Sequence, residues 1–430
     1  MRIVYIHQYY CNLQMWGGTR SYELARRLVS RGHEVHVLTT DIAAERGGYR
    51  WRDTNDDGIN VHWFPVPYSN KMSYTRRIRS FGEFATVAAA KAVGMRADLV
   101  LATSTPLTVA VPGVLAARLR RVPFVFEVRD LWPEAPIAMG ALHNPLLRRA
   151  AGALATFAYR HAEHVVALSA GMAAGVTARY PKARTTVIPN ASDLDLFAGK
   201  EEAAQRLRAE QDWLGDRPLI VYTGALGAVN GLDYLVKVAA RARTIDPELR
   251  FLIVGQGKEW EQTRQLAAES GVLDKTLHMW PSVSKGELPV ILAAATMSTS
   301  MVRPIPALWN NSANKFFDAL AAGRPIAINY GGWQGDVLRE SGAGLVLDPY
   351  DIDAATESIT RHVRDEAWLS QARVAAHRLA VEEYSRDVLF DRFEAVLAEA
   401  AASYHSRRGR WGQPGRRGQP AGGETVVETS

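Results

Sequence analysis

The sequence predicts an α/β protein of two doubly wound domains that face one another across a cleft, followed by a basic tail. A strand, a glycine loop, a helix and a second strand follow each other at the N-terminus, and the same order returns near residue 219. In each half, further short apolar runs alternate with helical patterns, as a parallel sheet with crossover helices requires. Size is the third observation: 430 residues, 47% apolar and 22% charged, have a globular balance but exceed one compact core.

In chain order, RIVYI at residues 2–6 reads as a buried strand and Gly17-Gly18 as a loop. Leu24, Ala25, Leu28 and Val29 then mark one helical face, which Gly32 ends before the strand HEVHVLTT. VHWFPV, DLVLAT, PFVFEV and HVVALS supply more strands. The uncharged stretch 99–117 approaches membrane-spanning length, but Pro106, Pro112 and its Thr and Ser residues divide it into a strand and a helix. IPNASDLDLFAGKEEAAQRLRAE reads as the link between domains, with the boundary at about residue 195. The second unit has a strand at 219–222, a Gly224/Gly227/Gly231 loop, a helix carrying Leu235, Val238 and Ala239, and the strand LRFLIVG. TLHMW, ATMSTS, PIAINY and GLVLD follow as strands. The expected division is 1–195, 196–386, a last helix at about 387–402 grouped with the first domain, and a disordered Gly-, Pro- and Arg-rich tail at 405–430.

The formal charge is +6, and the tail, with five arginines against two glutamates, holds half of that excess. No dense Lys/Arg stripe is present, so nucleic acid is not an expected partner. The single cysteine, Cys11, cannot form an intrachain disulfide, and the His33/His36 and His161/His164 spacings lack further ligands nearby. A reducing, cytoplasmic setting without structural zinc is expected. The N-terminus shows no export signal, because it alternates polar and apolar residues and passes directly into a loop.

Gly255-x-Gly257 is followed by Lys258, Glu259 and Trp260, and no Gly-Lys-Ser/Thr occurs, which argues against NAD and ATP chemistry. Gly17-Gly18 ahead of a helix offers backbone N–H groups to a phosphate, or is a structural turn. In NNSANKFFDALAAGRPIAINYGG, Asn314, Lys315 and Asp318 open a helix. Lys315 there suits a diphosphate and Asp318, one turn on, suits ribose hydroxyls. A capped surface helix is the other reading.

HQYY, WGGTRSYELARRLVSRGHEVHVLTT, FEVRDLWPEAPIAMG, VIPNASDLDLF, LIVYTGALGAVNGLDYL, FLIVGQGKEW and SANKFFDALAAGRPIAINYGGWQ occur together over residues 1 to about 350. In these segments the chain resembles family 4 glycosyltransferases of the GT-B fold, two facing Rossmann-like domains, and in particular the bacterial subgroup of colanic-acid, capsule and O-antigen assembly. The resemblance implies retaining transfer of a sugar from a nucleotide diphosphate donor, usually UDP-linked, without an obligatory metal. The donor would sit mainly on the C-terminal domain and a polysaccharide-repeat or polyprenyl-linked glycan acceptor mainly on the N-terminal one.

Carried over by position, Gly17 and Gly18 match the loop near the donor phosphates, and Gly224 lies in the corresponding loop of the second domain. Asp318 matches the ribose-binding second acid of the family's Glu, seven residues, Glu motif, with Asn314 and Lys315 beside it. The first acid falls at Asn310, and an amide cannot supply the negative charge that steadies an oxocarbenium-like centre. Ala225 and Asn230 stand where many relatives place the Arg and Lys of a phosphate clamp, so replacement charge would come from Lys315, Arg303 or Arg129. Asp130 lies near the position where other branches carry a sugar-contacting histidine. It orients hydroxyls in that reading, or forms with Arg129 a pair that fixes the loop.

Asp193-x-Asp195 and Asp351-x-Asp353 imitate a metal-binding acid pair, and no metal is assigned to either. His7 and Gln8 either line the cleft or are structural. Between Lys71 and Arg96, Arg76, Arg77, Arg79 and Lys91 mix with Tyr74, Phe81, Phe84 and Met95, and Arg118, Arg120, Arg121, Arg148 and Arg149 follow. This pattern reads as a face resting on anionic lipid, which would make the protein peripheral on the inner membrane face, or as solvated helix surfaces. Two rivals share the fold-level expectation: a UDP-sugar 2-epimerase, and a non-catalytic subunit that binds nucleotide or membrane.

Overall fold

The computed structural model describes residues 1–15, 17–42, 50–68 and 72–411. Among these, the first sheet has eight strands: β1 (Arg2–Ile6), β2 (Glu34–Asp41), β3 (Arg52–Asp56), β4 (Ile59–Pro65), β5 (Leu99–Thr103), β6 (Phe124–Val128), β7 (His164–Ala167) and β8 (Thr185–Val187). The second has six: β9 (Leu219–Ala225), β10 (Arg250–Gln256), β11 (Leu277–Trp280), β12 (Met297–Ser300), β13 (Ile326–Ile328) and β14 (Gly344–Val346). Their orders are β3-β4-β2-β1-β5-β6-β7-β8 and β11-β10-β9-β12-β13-β14.

All pairs are parallel except β3 with β4. Parallel strands bury both faces, which explains why LVLAT and FVFEV have no exposed position. In register, Ile3 lies between Val35 and Leu99, and Ile220 between Phe251 and Met297. The sheet order reverses at β1 in the first domain and at β9 in the second. Crevices at the carboxyl ends of these two strands are where open α/β sheets bind ligands.

The chain crosses between domains twice, and the crossings are tied together. Ser192 N–H donates to Tyr384 O at 2.8 Å and Arg386 N–H to Ser192 O at 3.2 Å. The helix Arg386–Trp411 then packs Leu389, Phe390, Phe393, Val396 and Leu397 into the core cluster that holds Ile3, Val35 and Leu99. This helix corrects one expectation: residues 405–411 continue it instead of joining a disordered tail, and the rest of that tail lies outside the described residues. The stretch 99–117 is β5 followed by the start of the helix Ala110–Arg120. No helix of the described residues is long and apolar enough to cross a membrane.

Candidate active site

A cleft of about 340 Å³ opens between the domains where the two switch points meet, lined by Gly17 and Gly18 on one side and Gly224, Lys285, Lys315 and Asp318 on the other. The helix Asn314–Ala321 presents its first turn here and has no side-chain N-cap. Its first N–H groups and the positive helix end therefore complement an anion. Amphipathic spacing sets its orientation: Phe316, Phe317 and Leu320 are fully buried, which turns Asn314, Lys315 and Asp318 to the cleft.

Lys315 Nζ lies 3.4 Å from Asn230 Oδ1 and 5.0 Å from the centre of the Tyr222 ring. Burial lowers its pKa to about 8, with the Asp318 charge opposing the shift. Gly224 has φ +133°, and a Cβ there would stand 2.8 Å from Lys315 Cε, so a glycine is needed for the lysine to pass. Asp318 is buried, and its Oδ1 accepts from Lys285 Nζ at 2.6 Å. Lys285 was not anticipated. The one signal for it was a Ser-Lys-Gly turn after the TLHMW strand, at the carboxyl edge of the second sheet.

On the facing domain, a Cβ at Gly18 would lie 3.5 Å from an Arg129 nitrogen and 3.6 Å from Asn314 Nδ2, so these three residues from both domains meet. Gly17, at φ +147°, packs its Cα against Cys11, whose Sγ would be 2.6 Å from a Cβ. Arg129 approaches His7 Nε2 at 3.4 Å. Burial first, and the Arg129 charge second, hold His7 well below the usual imidazole range, so its neutral ring accepts from the guanidinium.

Beneath the loop, Arg20 donates to Glu127 at 2.9 Å and to the carbonyls of Pro189 and Ile188 at 2.5 and 2.9 Å. Thr103 Oγ1 donates to the other Glu127 oxygen at 2.6 Å. Burial would raise the Glu127 carboxyl, but Arg20 and then Arg129 outweigh it and keep it below the ordinary range.

Arg129 reaches the cleft only at its edge, beside Gly18, and Asp130, Arg303 and Asn310 do not line it. Asp130 is exposed and accepts from Thr105 Oγ1 at 2.8 Å. Arg303 does not line this cleft: its Nε donates to Ala228 O at 2.5 Å and its terminal nitrogens lie 3.6 Å from Glu259 and 4.0 Å from Asp233, in an adjoining hollow. Asn310 is an interdomain contact instead. Its carbonyl accepts from Ser169 Oγ at 2.6 Å, and its Oδ1 would be 2.0 Å from a Cβ at Gly171.

Asp193 is held by both Arg386 Nε and a terminal nitrogen, which outweigh its burial and keep its pKa low. Among the described residues no group of three or more His, Cys, Asp or Glu is arranged to hold a metal ion. The basic aromatic face also needs revision. Phe84 belongs to the core and Lys71 lies outside the described residues, but Arg76, Ile78 and Arg79 are exposed, as are Leu115, Leu119 and Leu146 on neighbouring helices.

Residues 17–191 match the family described as Glycosyl transferase 4-like domain, and residues 204–386 match Glycosyl transferases group 1. The GDP-mannose-dependent alpha-(1-6)-phosphatidylinositol monomannoside mannosyltransferase of Mycolicibacterium smegmatis is 27% identical over 305 residues, covering 65% of this chain and 79% of that protein. WcaI of Escherichia coli, named for colanic acid biosynthesis, is 24% identical over 63% of this chain and 69% of its own. Among solved structures, sucrose-phosphate synthase from Thermosynechococcus elongatus superposes with a TM-score of 0.74 at 15% identity, covering 94% of this chain and 99% of that one. Anabaena HepE, in complex with UDP-glucose, gives 0.69 at 17% identity, covering 93% and 100%. These superpositions establish the fold.

Proposed function

Because the chain belongs to the GT-B glycosyltransferases of bacterial polysaccharide-biosynthesis type, a 4-like domain followed by a group 1 domain, we propose that it is a retaining transferase that moves a sugar from a UDP-sugar to a polysaccharide-repeat or lipid-linked glycan. One observation carries the reading: Lys315 and Asp318 of the C-terminal domain and the Gly17-Gly18 loop of the N-terminal one line a single cleft.

The diphosphate would lie between the helix start at Asn314 and the Gly18 loop. Lys315 and Arg129 would neutralise the charge that grows on the leaving phosphate, the largest contribution the protein makes to the rate. Asp318 would accept from ribose hydroxyls. The acceptor hydroxyl would enter on the face the phosphate leaves, and the departing phosphate would take its proton, so no separate general base is required. These cations also support turnover without an obligatory metal ion, with chelator-insensitive activity as the expected result.

The exposed arginines and leucines of the N-terminal domain would rest on anionic lipid and bring a membrane-anchored acceptor to the cleft. Sedimentation with anionic vesicles, lost in high salt, tests this part.

Thermal stabilisation across UDP- and GDP-sugars tests the donor, since a ligand bound only by the folded state raises the melting temperature. Stabilisation by GDP-sugars alone would overturn the uridine choice, which the GDP-mannose-dependent relative makes the sharpest alternative. Conversion of a UDP-N-acetylhexosamine to its 2-epimer without acceptor would overturn the transferase reading.

A further inference from the structure

Asp318 meets the cleft already paired. Lys285 Nζ donates to its Oδ1 at 2.6 Å, and the two side chains are only 16% and 10% exposed. They come from different elements, the turn after β11 and the helix Asn314–Ala321, yet both line the cleft. Ser284, beside Lys285, donates from its N–H and Oγ to Glu287 Oε2 at 2.9 and 2.7 Å, which pins the turn. The Lys285 ammonium also stands 5.5 Å from the centre of the Phe197 ring. The nearby Arg386 is committed to Asp193.

Charge balance alone does not exhaust this arrangement. A carboxylate only accepts and an ammonium only donates, the first through two oxygens and the second through three hydrogens. With Oδ1 engaged by Lys285, Oδ2 is left to accept and the ammonium keeps further donors. A vicinal diol offers the complement, because each hydroxyl both donates and accepts.

We propose that Lys285 is a specificity residue which, with Asp318, clamps the ribose 2′,3′-diol of the donor and selects ribonucleoside over 2′-deoxyribonucleoside diphosphates. The inference deepens the nucleotide-sugar reading and rests on it. Lys285 acts twice in this scheme, by fixing the Asp318 carboxylate and by donating to a ribose oxygen.

Calorimetric titration of the full chain with UDP, GDP and their 2′-deoxy forms tests the clamp. The parent is expected to prefer the ribo form of its nucleotide by about ten- to hundred-fold, the range for hydrogen bonds to charged groups. K285M is expected to shrink that ratio to about threefold or less, and K285R to restore most of it. K285A removes the same donor and serves where K285M fails to fold. The ratio separates recognition from general damage, which weakens both ligands together. A parent ratio near one, or an unchanged ratio in the Lys285 variants, overturns the clamp and leaves the nucleotide-sugar reading standing. A parent that binds none of the four nucleotides overturns both.

Discussion

The Lys315 ammonium lies 5.0 Å from the centre of the buried Tyr222 ring, and the same burial brings its pKa down to about 8. Its charge is therefore present at neutral pH and is lost as pH rises through that value. Binding a diphosphate favours the charged form, so donor affinity should be flat below pH 8 and fall above it, approaching tenfold per unit. Titration of UDP-glucose between pH 7 and 9.5 checks this, over a range where the donor's own phosphates do not titrate. Lys315→Met should bind about ten- to hundred-fold more weakly and lose the pH dependence. An equally pH-dependent variant would assign the titration to another group.

Gly224→Ala places a methyl 2.8 Å from Lys315 Cε at a φ of +133° that side chains rarely adopt. Backbone strain of this type costs about 1–3 kcal/mol, measurable by urea unfolding. The lysine must also swing away, so nucleotide affinity should fall together with stability. Loss of stability with unchanged affinity would mean that Lys315 does not depend on this passage.

Much of the architecture was legible because buried parallel strands announce themselves. LVLAT, PFVFEV and LRFLIVG are apolar runs bounded by turn signals, and the two Gly loops mark the switch points at β1 and β9. β3, with sequence RDTND, carries no apolar residue and sits antiparallel at the sheet edge, so no periodicity could report it. Asp318 and Lys315 were legible as one helix turn. Lys285 was not, because its partner lies 33 positions away and only the fold joins them. Arg303 and Asn310 were named from residue type and motif position, and the fold places both away from the cleft lining. Arg303 has the charge a diphosphate calls for, but acidic neighbours draw it aside, and Asn310, placed by motif position although its amide lacks the expected charge, is engaged by the contact with Gly171.

Glu127→Gln isolates the buried pair beneath the N-terminal loop. Arg20 and Glu127 have side chains 4% and 0% exposed, so removing one charge leaves the other uncompensated. Breaking such pairs costs about 3–5 kcal/mol, read as a lower urea midpoint. The Glu127 pKa is depressed in the fold, so its contribution is present above the unfolded carboxyl pKa and lost as pH falls through the folded one. The parent should therefore lose stability on acidification more steeply than the variant. Parallel acid profiles would show that Arg20 draws its compensation from the Pro189 and Ile188 carbonyls.

Asn310→Glu restores the residue type the family motif expects, and the geometry predicts that it will not help. Asn310 Oδ1 and Cγ already lie where a Cβ on Gly171 would be, at 2.0 and 2.4 Å. The asparagine thus fills the hollow that a glycine leaves at the start of the helix Ala170–Arg179. Another methylene must push the domains apart or turn the side chain out, while the backbone stays held by Ser169. If the side chain turns out, donor affinity should stay within about threefold, because Asn310 is not among the cleft-lining residues; if the domains part, donor affinity should weaken as well, and in both cases kcat falls about tenfold or more as closure is disturbed. Asn310→Ala should show the same split in milder form. A gain in kcat with Asn310→Glu would instead mean that the side chain reaches the reacting sugar, and that the contact with Gly171 opens during turnover.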